Sequence, residues 1–204
     1  LDSRIGLLIP AVLLALVASA CTTRISGMPV ADSVTSTSST SSRPTSASSA
    51  PSTPVRPRQV ATAGLKSCDL VTTDQQRRFG IDRPPNPSDD PFLQAVTCNY
   101  GSRAQKVGFG VSMLTAFGID RFQPGKVRGD LRPMTVRDFP AMEFHTVFSD
   151  TLDDACIVVV DIADGQAVHV DYGEEGVRPH LGKPILCTRA AQIADVIMGN
   201  LLAR

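Results

Sequence analysis

The sequence predicts an α+β domain: a mostly antiparallel sheet with a short N-terminal helix and a longer C-terminal helix packed on one face, carrying two disulfides. Three observations lead there. Asp164-Gly165 separates two β-branched runs, residues 156–162 and 167–172, which is a strong short-range hairpin signal. The closing stretch, residues 185–202, repeats apolar side chains at helical spacing. Cys68, Cys98, Cys156 and Cys187 form an even set spread over the same region.

The elements follow in chain order within a folded part spanning residues 65–204. A short helix covers about residues 73–79, because Thr72 with Gln75, and Thr73 with Gln76, have capping-box spacing and Gly80 is a natural stop. Pro84, Pro85, Pro87 and Pro91 then make residues 82–91 a loop. Residues 96–101 and 106–114 read as strands, the second alternating Val107, Phe109, Val111 and Met113 on one side. Residues 115–130 are irregular with a short helix. Another strand pair, 134–137 and 141–148, turns at Asp138-Phe139-Pro140. The arm 156–162 is apolar on both faces and belongs inside the sheet. In the closing helix Ile193, Val196, Ile197 and Leu201 share a side, and Ala190 and Ala194 permit close approach.

Ahead of this part the chain is made of other material. All 8 Phe and both Tyr lie at Phe79 or later, so the first third lacks the aromatic side chains of a core. Arg4, then an uncharged apolar run over residues 5–17, then Ala18-Ser19-Ala20 have the layout of a secretory signal peptide over residues 1–20. Cys21 directly after these small residues resembles the lipobox of bacterial lipoproteins, with Ala18 standing where Leu is usual. An ordinary Ala-x-Ala cleavage and a retained membrane-spanning helix are the alternatives. Cysteine arithmetic favours lipidation of Cys21, since removing it from five leaves four for two disulfides. Residues 21–64 then form a lipid-anchored linker. Between residues 33 and 53, 15 of 21 residues are Ser or Thr, too polar to offset the entropy of ordering. A flexible chain of about 42 residues spans roughly 35 Å root-mean-square. Such composition also suits O-glycosylated stalks.

Three pairings of the four remaining cysteines are possible. The expected one joins sequence neighbours, Cys68 to Cys98 and Cys156 to Cys187, each tying a helix start to a strand. Zinc is not expected, because no two cysteines have knuckle spacing. Cys68-Asp69-Leu70-Val71-Thr72 before a helix that stops at Gly80, Cys98-Asn99-Tyr100 on a strand, Cys156 on a later strand and Cys187 on an Ala-rich closing helix resemble an actinobacterial lipoprotein family. That family includes many mycobacterial Lpr-type lipoproteins and is built on an uncharacterised domain of unknown function. The resemblance covers nearly all of residues 65–204. It implies export, anchoring, two disulfides and an α+β fold, and it supplies no activity.

Chemistry is harder to find. Lys plus Arg and Asp plus Glu are 20 each, so net charge is zero and no nucleic-acid partner is expected. Nucleophile elbow, zinc-protease helix and P-loop are all missing from the sequence. No enzymatic activity, catalytic residue, cofactor or metal is therefore expected. Gly108-Phe109-Gly110 lies inside a strand and reads as a place where something packs close. His169 and Asp171 share a strand face at i, i+2 spacing, a possible polar site whose plainer reading is the solvated or edge face of the second hairpin arm. Glu174-Glu175 reads as a solvated turn. The expectation is a cell-envelope, non-enzymatic binding or accessory domain on the outer face of the cytoplasmic membrane, with an envelope protein or a lipid as partner. A carrier of a lipid or other apolar ligand is the alternative. Phe109, Phe117, Phe122, Met113 and Met142 would line its pocket, between sheet and helix or under the Pro-rich loop. An envelope hydrolase ranks behind both.

Overall fold

The computed structural model describes residues 55–146 and 154–204; Cys21, the segment before it and the Ser/Thr-rich run lie outside the described residues. Two helices, α1 (Thr73–Arg78) and α2 (Lys183–Leu202), flank seven strands. These are β1 (Asn86–Asp90), β2 (Ala95–Ser102), β3 (Val107–Leu114), β4 (Asp130–Val136), β5 (Phe139–Thr146), β6 (Ala155–Ala163) and β7 (Gln166–Glu174). They form one sheet in the order β1-β2-β3-β7-β6-β5-β4, each neighbouring pair antiparallel. The α+β architecture, both helices and both disulfides are as the sequence predicts.

Local chemistry explains most elements. Thr72 caps α1, its hydroxyl accepting from the Gln75 N–H while the Gln75 side chain accepts from the Thr72 N–H. The β6–β7 hairpin turns through Asp164-Gly165 with Gly165 at φ +66°, and the register slips by a bulge between Asp161 and Ala163. Alternation along the strands makes two faces. On one, Val111, Val158, Val170 and their neighbours bury α2 through Leu186, Ala190, Ile193, Ala194, Ile197 and Leu201. Met198 is buried there too, whereas Val196 is only half-buried, so the apolar stripe lies slightly round from the expected one.

Among the described residues the other face carries no α-helix, only a 3-10 turn at Ile119–Arg121, the short helix expected there. Its cover comes from the connection 115–129, which must travel from β3, third in the sheet, to β4 at the far edge. On the way it buries Phe122 against Leu114, Met142, Phe144 and Val159. The five residues proposed from sequence to line one pocket therefore divide. Phe109 and Met113 belong to the helix side, Phe122 and Met142 to the open side, with Phe117 packed beside them.

Two local expectations fail. The proline-rich stretch contains β1, with Pro87 paired opposite Cys98. An edge strand tolerates proline because one row of its backbone groups has no neighbour to bond. The β4–β5 turn is Arg137-Asp138, both at positive φ (+48° and +67°), with Phe139 and Pro140 already in β5. Arg137 is held there by its guanidinium, which donates to the Asp195 carbonyl and carboxylate at 2.9 and 2.8 Å.

Residues 56–62, whose composition reads as the end of the linker, dock on the domain. The Val60 N–H donates to the Ile162 carbonyl at 2.9 Å, Thr62 bonds Gln166, and Arg56 pairs with Asp161 and Asp164. Among the described residues α2 alone is long and apolar enough to cross a membrane. Its apolar stripe is buried on the sheet and Cys187 is bonded to Cys156 of β6, so packing accounts for that composition.

Candidate functional site

The open face of the sheet can be read as a grid, because antiparallel registers set side chains directly opposite one another. Three rows cross β2, β3 and β7: Gly101–Gly108–Gly173, then Asn99–Gly110–Asp171, then Thr97–Ser112–His169. Over these rows opens a cleft of about 820 Å³, walled by Phe122, Phe144, Leu93 and Ile157, with Lys126 and Arg128 at its rim. A second hollow of about 440 Å³ continues it over the glycine row, and the two share Asn99, Asp171 and Ala155. One half is thus walled by aromatic and aliphatic groups and the other by polar ones.

His169 lines the larger cleft, one row from the shared Asp171. It is 5% exposed, and its ring packs on Phe122 with centroids 5.8 Å apart. Burial pushes its pKa below the usual 6.5, against the pull of the Asp171 and Asp90 carboxylates, so the imidazole is neutral near pH 7. Nδ1 has no hydrogen-bond partner among the described residues and stands 3.9 Å from Asp171 Oδ1, too far for a direct bond. The other carboxylate oxygen of Asp171 accepts from the Gly110 N–H at 3.2 Å. That contact explains the glycine: a Cβ at 110 would collide with the same carboxylate. Over the glycine row, Arg83 and Glu175 form an ion pair at 3.1 Å, and a Cβ at Gly108 would strike Glu175. The expectation of close packing at Gly108 and Gly110 holds.

The placement of His169 corrects the sequence reading. Its alternation with Asp171 looks like a solvated or edge face, but β7 is the middle strand of seven and the open face is roofed by the 115–129 connection. Glu174 likewise belongs to no solvated turn. Its carboxylate is buried, accepts from the Leu181 N–H and pairs with His180. Burial alone would raise its pKa, and these hydrogen bonds outweigh burial and hold it below 4.5.

A cleft gathering His169, Asp171 and hydroxyl groups raises the question of hydrolysis. The hydroxyls of Thr97 and Ser112 bond each other at 2.7 Å. No hydrogen bond between described residues joins either to His169, so the nucleophile–base contact of acyl transfer is not made.

The expected disulfides are present as Cys68–Cys98 and Cys156–Cys187. Glu143 places a carboxylate oxygen within 4.8 Å of both sulfurs of the second. It is engaged by Arg132 through two hydrogen bonds, at 3.1 and 3.0 Å. Sulfurs joined to each other offer no thiolate to a metal, so this trio is a structural pair beside a staple. Sequence reasoning named Phe122 as a pocket residue and Gly108 as a close approach, and missed the site roles of Thr97, Asn99, Gly101 and Gly173. They come from segments up to about 75 residues from β7, and only strand pairing brings them together.

Comparison with curated proteins finds no match, and comparison with solved structures finds none. A family model described as a protein of unknown function (DUF3558) matches residues 16–200, and the chain belongs to that family.

Proposed function

We propose that this protein is a cell-envelope lipoprotein of the actinobacterial type. A signal peptide over residues 1–20 is removed, Cys21 is acylated, and the linker to residue 64 holds a non-enzymatic binding domain on the outer face of the cytoplasmic membrane. Two disulfides support export, since such bonds persist outside the reducing cytoplasm. The family match begins at residue 16, so the segment holding Cys21 is part of what the family shares.

The domain takes an apolar or amphipathic small molecule, and one observation carries this: the open-face cleft of about 820 Å³ with apolar walls and a buried polar group whose nitrogen lacks a partner. Size and lining match those of small-molecule sites. The carrier reading is favoured over protein docking, because a recess with mostly apolar walls suits a small ligand better than a flat partner surface.

Native mass spectrometry of the protein purified from its own membrane tests the ligand. A copurifying small amphiphile is expected, and recovery of the unliganded mass alone overturns the reading. Palmitate labelling tests the anchor: label should enter the protein and vanish in Cys21→Ser. Equal labelling of both, or of neither, removes lipidation.

A further inference from the structure

A further hollow, of about 270 Å³, lies on the helix side of the sheet and shares no lining residue with the open-face cleft. The last turn of α1, the turn between β2 and β3, Tyr172 of β7 and the first half of α2 enclose it. We propose that this hollow binds a phosphate group, gripped by Arg78 and Arg189, with Tyr172 and Gln105 donating to its oxygens.

Charge carries the first step. The chain as a whole is neutral, yet Arg77, Arg78 and Arg189 all line this hollow and no Asp or Glu does. Two other hollows match their cations. In the groove between β4 and α2, Arg132, Arg137 and Lys183 pair with Glu143, Asp195 and Asp130, and over the glycine row Arg83 pairs with Glu175. Here Asp74 takes Arg77 alone, through a pair exposed on both sides. Arg189 donates to the neutral Gln192 side chain at 3.2 Å, and the Arg78 side chain has no hydrogen bond or ion pair among the described residues. Two guanidiniums are thus left without a counter-charge. A phosphate monoester carries about −1.5 to −2 at pH 7 and matches both, whereas a carboxylate would leave one unmatched.

Local folding carries the second step, because it leaves donors at the site and removes acceptors. The N–H groups of Phe79, Gly80 and Ile81 turn back onto the carbonyls of Gln75, Arg77 and Gln76, so the negative end of α1 is satisfied within the chain. Gly80, at φ +74°, has no side chain, and the Gln105 amide takes the space a Cβ would need. Tyr172 is 8% exposed, and its hydroxyl is not occluded and has no partner among the described residues. Burial pushes its pKa above 10 and the Arg189 charge opposes this, which sets that cation close to the phenol. A protonated phenol, an amide and two guanidinium forks all donate, as a phosphate oxygen requires. Phe79 and Ile193 add an apolar wall. A water takes about 30 Å³, so a bare phosphate leaves most of the hollow for the molecule that bears it.

The test is calorimetry on the whole mature chain at about 0.15 M ionic strength, where exposed charges more than about 8 Å apart are largely screened. The probes are glucose 6-phosphate, inorganic phosphate, acetate and glucose. Both phosphates should bind about tenfold or more tighter than acetate, and glucose should not bind. A preference for glucose 6-phosphate assigns a phosphate borne on a polar molecule, and equal or tighter binding of inorganic phosphate assigns the free ion. Arg78→Gln and Arg189→Gln should each weaken phosphate about tenfold and Tyr172→Phe about threefold, with unchanged melts. Arg128→Gln, at the rim of the open-face cleft, should leave phosphate affinity within twofold. The ¹⁵Nε resonance of Arg78 in the unsubstituted protein should move on adding phosphate, a readout that needs no variant. Acetate binding as tightly as phosphate overturns the assignment, and so does the absence of saturable binding. A loss in Arg128→Gln in place of the other two arginine variants moves the anion to the open face and overturns it as well. Each of these results leaves the amphiphile cleft standing, since that reading is tested by what copurifies from the membrane.

Discussion

His169 shows how a single residue records its environment. Its folded pKa lies below 6.5 because burial disfavours the cation. As pH falls below 6.5 the unfolded chain takes up a proton that the folded chain resists, so stability drops until the folded pKa is reached. Between pH 7 and 5 the melting temperature of the wild type should fall more steeply than that of His169→Leu; parallel curves would mean the imidazole is not desolvated. Glu174 acts in the carboxylate range. Its pKa is held below 4.5, so its contribution is present above that value and is lost as pH falls through the depressed folded pKa. Glu174→Gln should lower the melting temperature at pH 7, and the gap should narrow as pH falls below 4.5. Neither residue's burial was legible in sequence. Both sit in an alternating or acidic stretch that, by composition, belongs to a surface.

At the scale of elements, local rules carried far. The capping box at Thr72, the Asp164-Gly165 turn and the helical period after Pro184 each act over a few residues, and all three elements are where those rules put them. Thr72→Ala should cost about 1 kcal/mol in chemical denaturation, since it removes the side-chain acceptor for Gln75 N–H. What failed was non-local. β1 exists because β2 offers it an edge, and its prolines forbid a central strand but not that one. The Arg137-Asp138 turn lacks glycine and so lacks its usual signature; the α2 residue Asp195 holds it instead. Ala194 of α2 is fully buried against the sheet. Ala194→Leu should therefore destabilise by about 1–3 kcal/mol through overpacking, and an unchanged denaturation midpoint would mean the helix sits farther out.

For the whole molecule, the order of strands decides where a site can exist. The long helix α2 packs on one side, so the other side is covered only by the 115–129 connection, which leaves a recess where a long helix would fill it. Sequence showed the fold class and the staples because hairpins, periodicity and cysteine count are local or additive. It could not show that β7 docks on β3, the pairing that sets His169 beside Ser112 and Asp171 beside Gly110. Reduction of both disulfides should lower stability by several kcal/mol, each closing a loop of about 30 residues worth roughly 3.5 kcal/mol. A denaturation midpoint indifferent to reductant would overturn that estimate.

The docked strap at residues 56–62 bears on access to the cleft. It grips the tip of the β6–β7 hairpin at Ile162 and Gln166, while the glycine-floored mouth lies at the opposite ends of those strands, beside Ala155 and Gly173. Seven residues of strand at about 3.3 Å each put roughly 23 Å between them. Residues 56–62 therefore leave that mouth uncovered, and substitutions that release the strap should not alter entry to it.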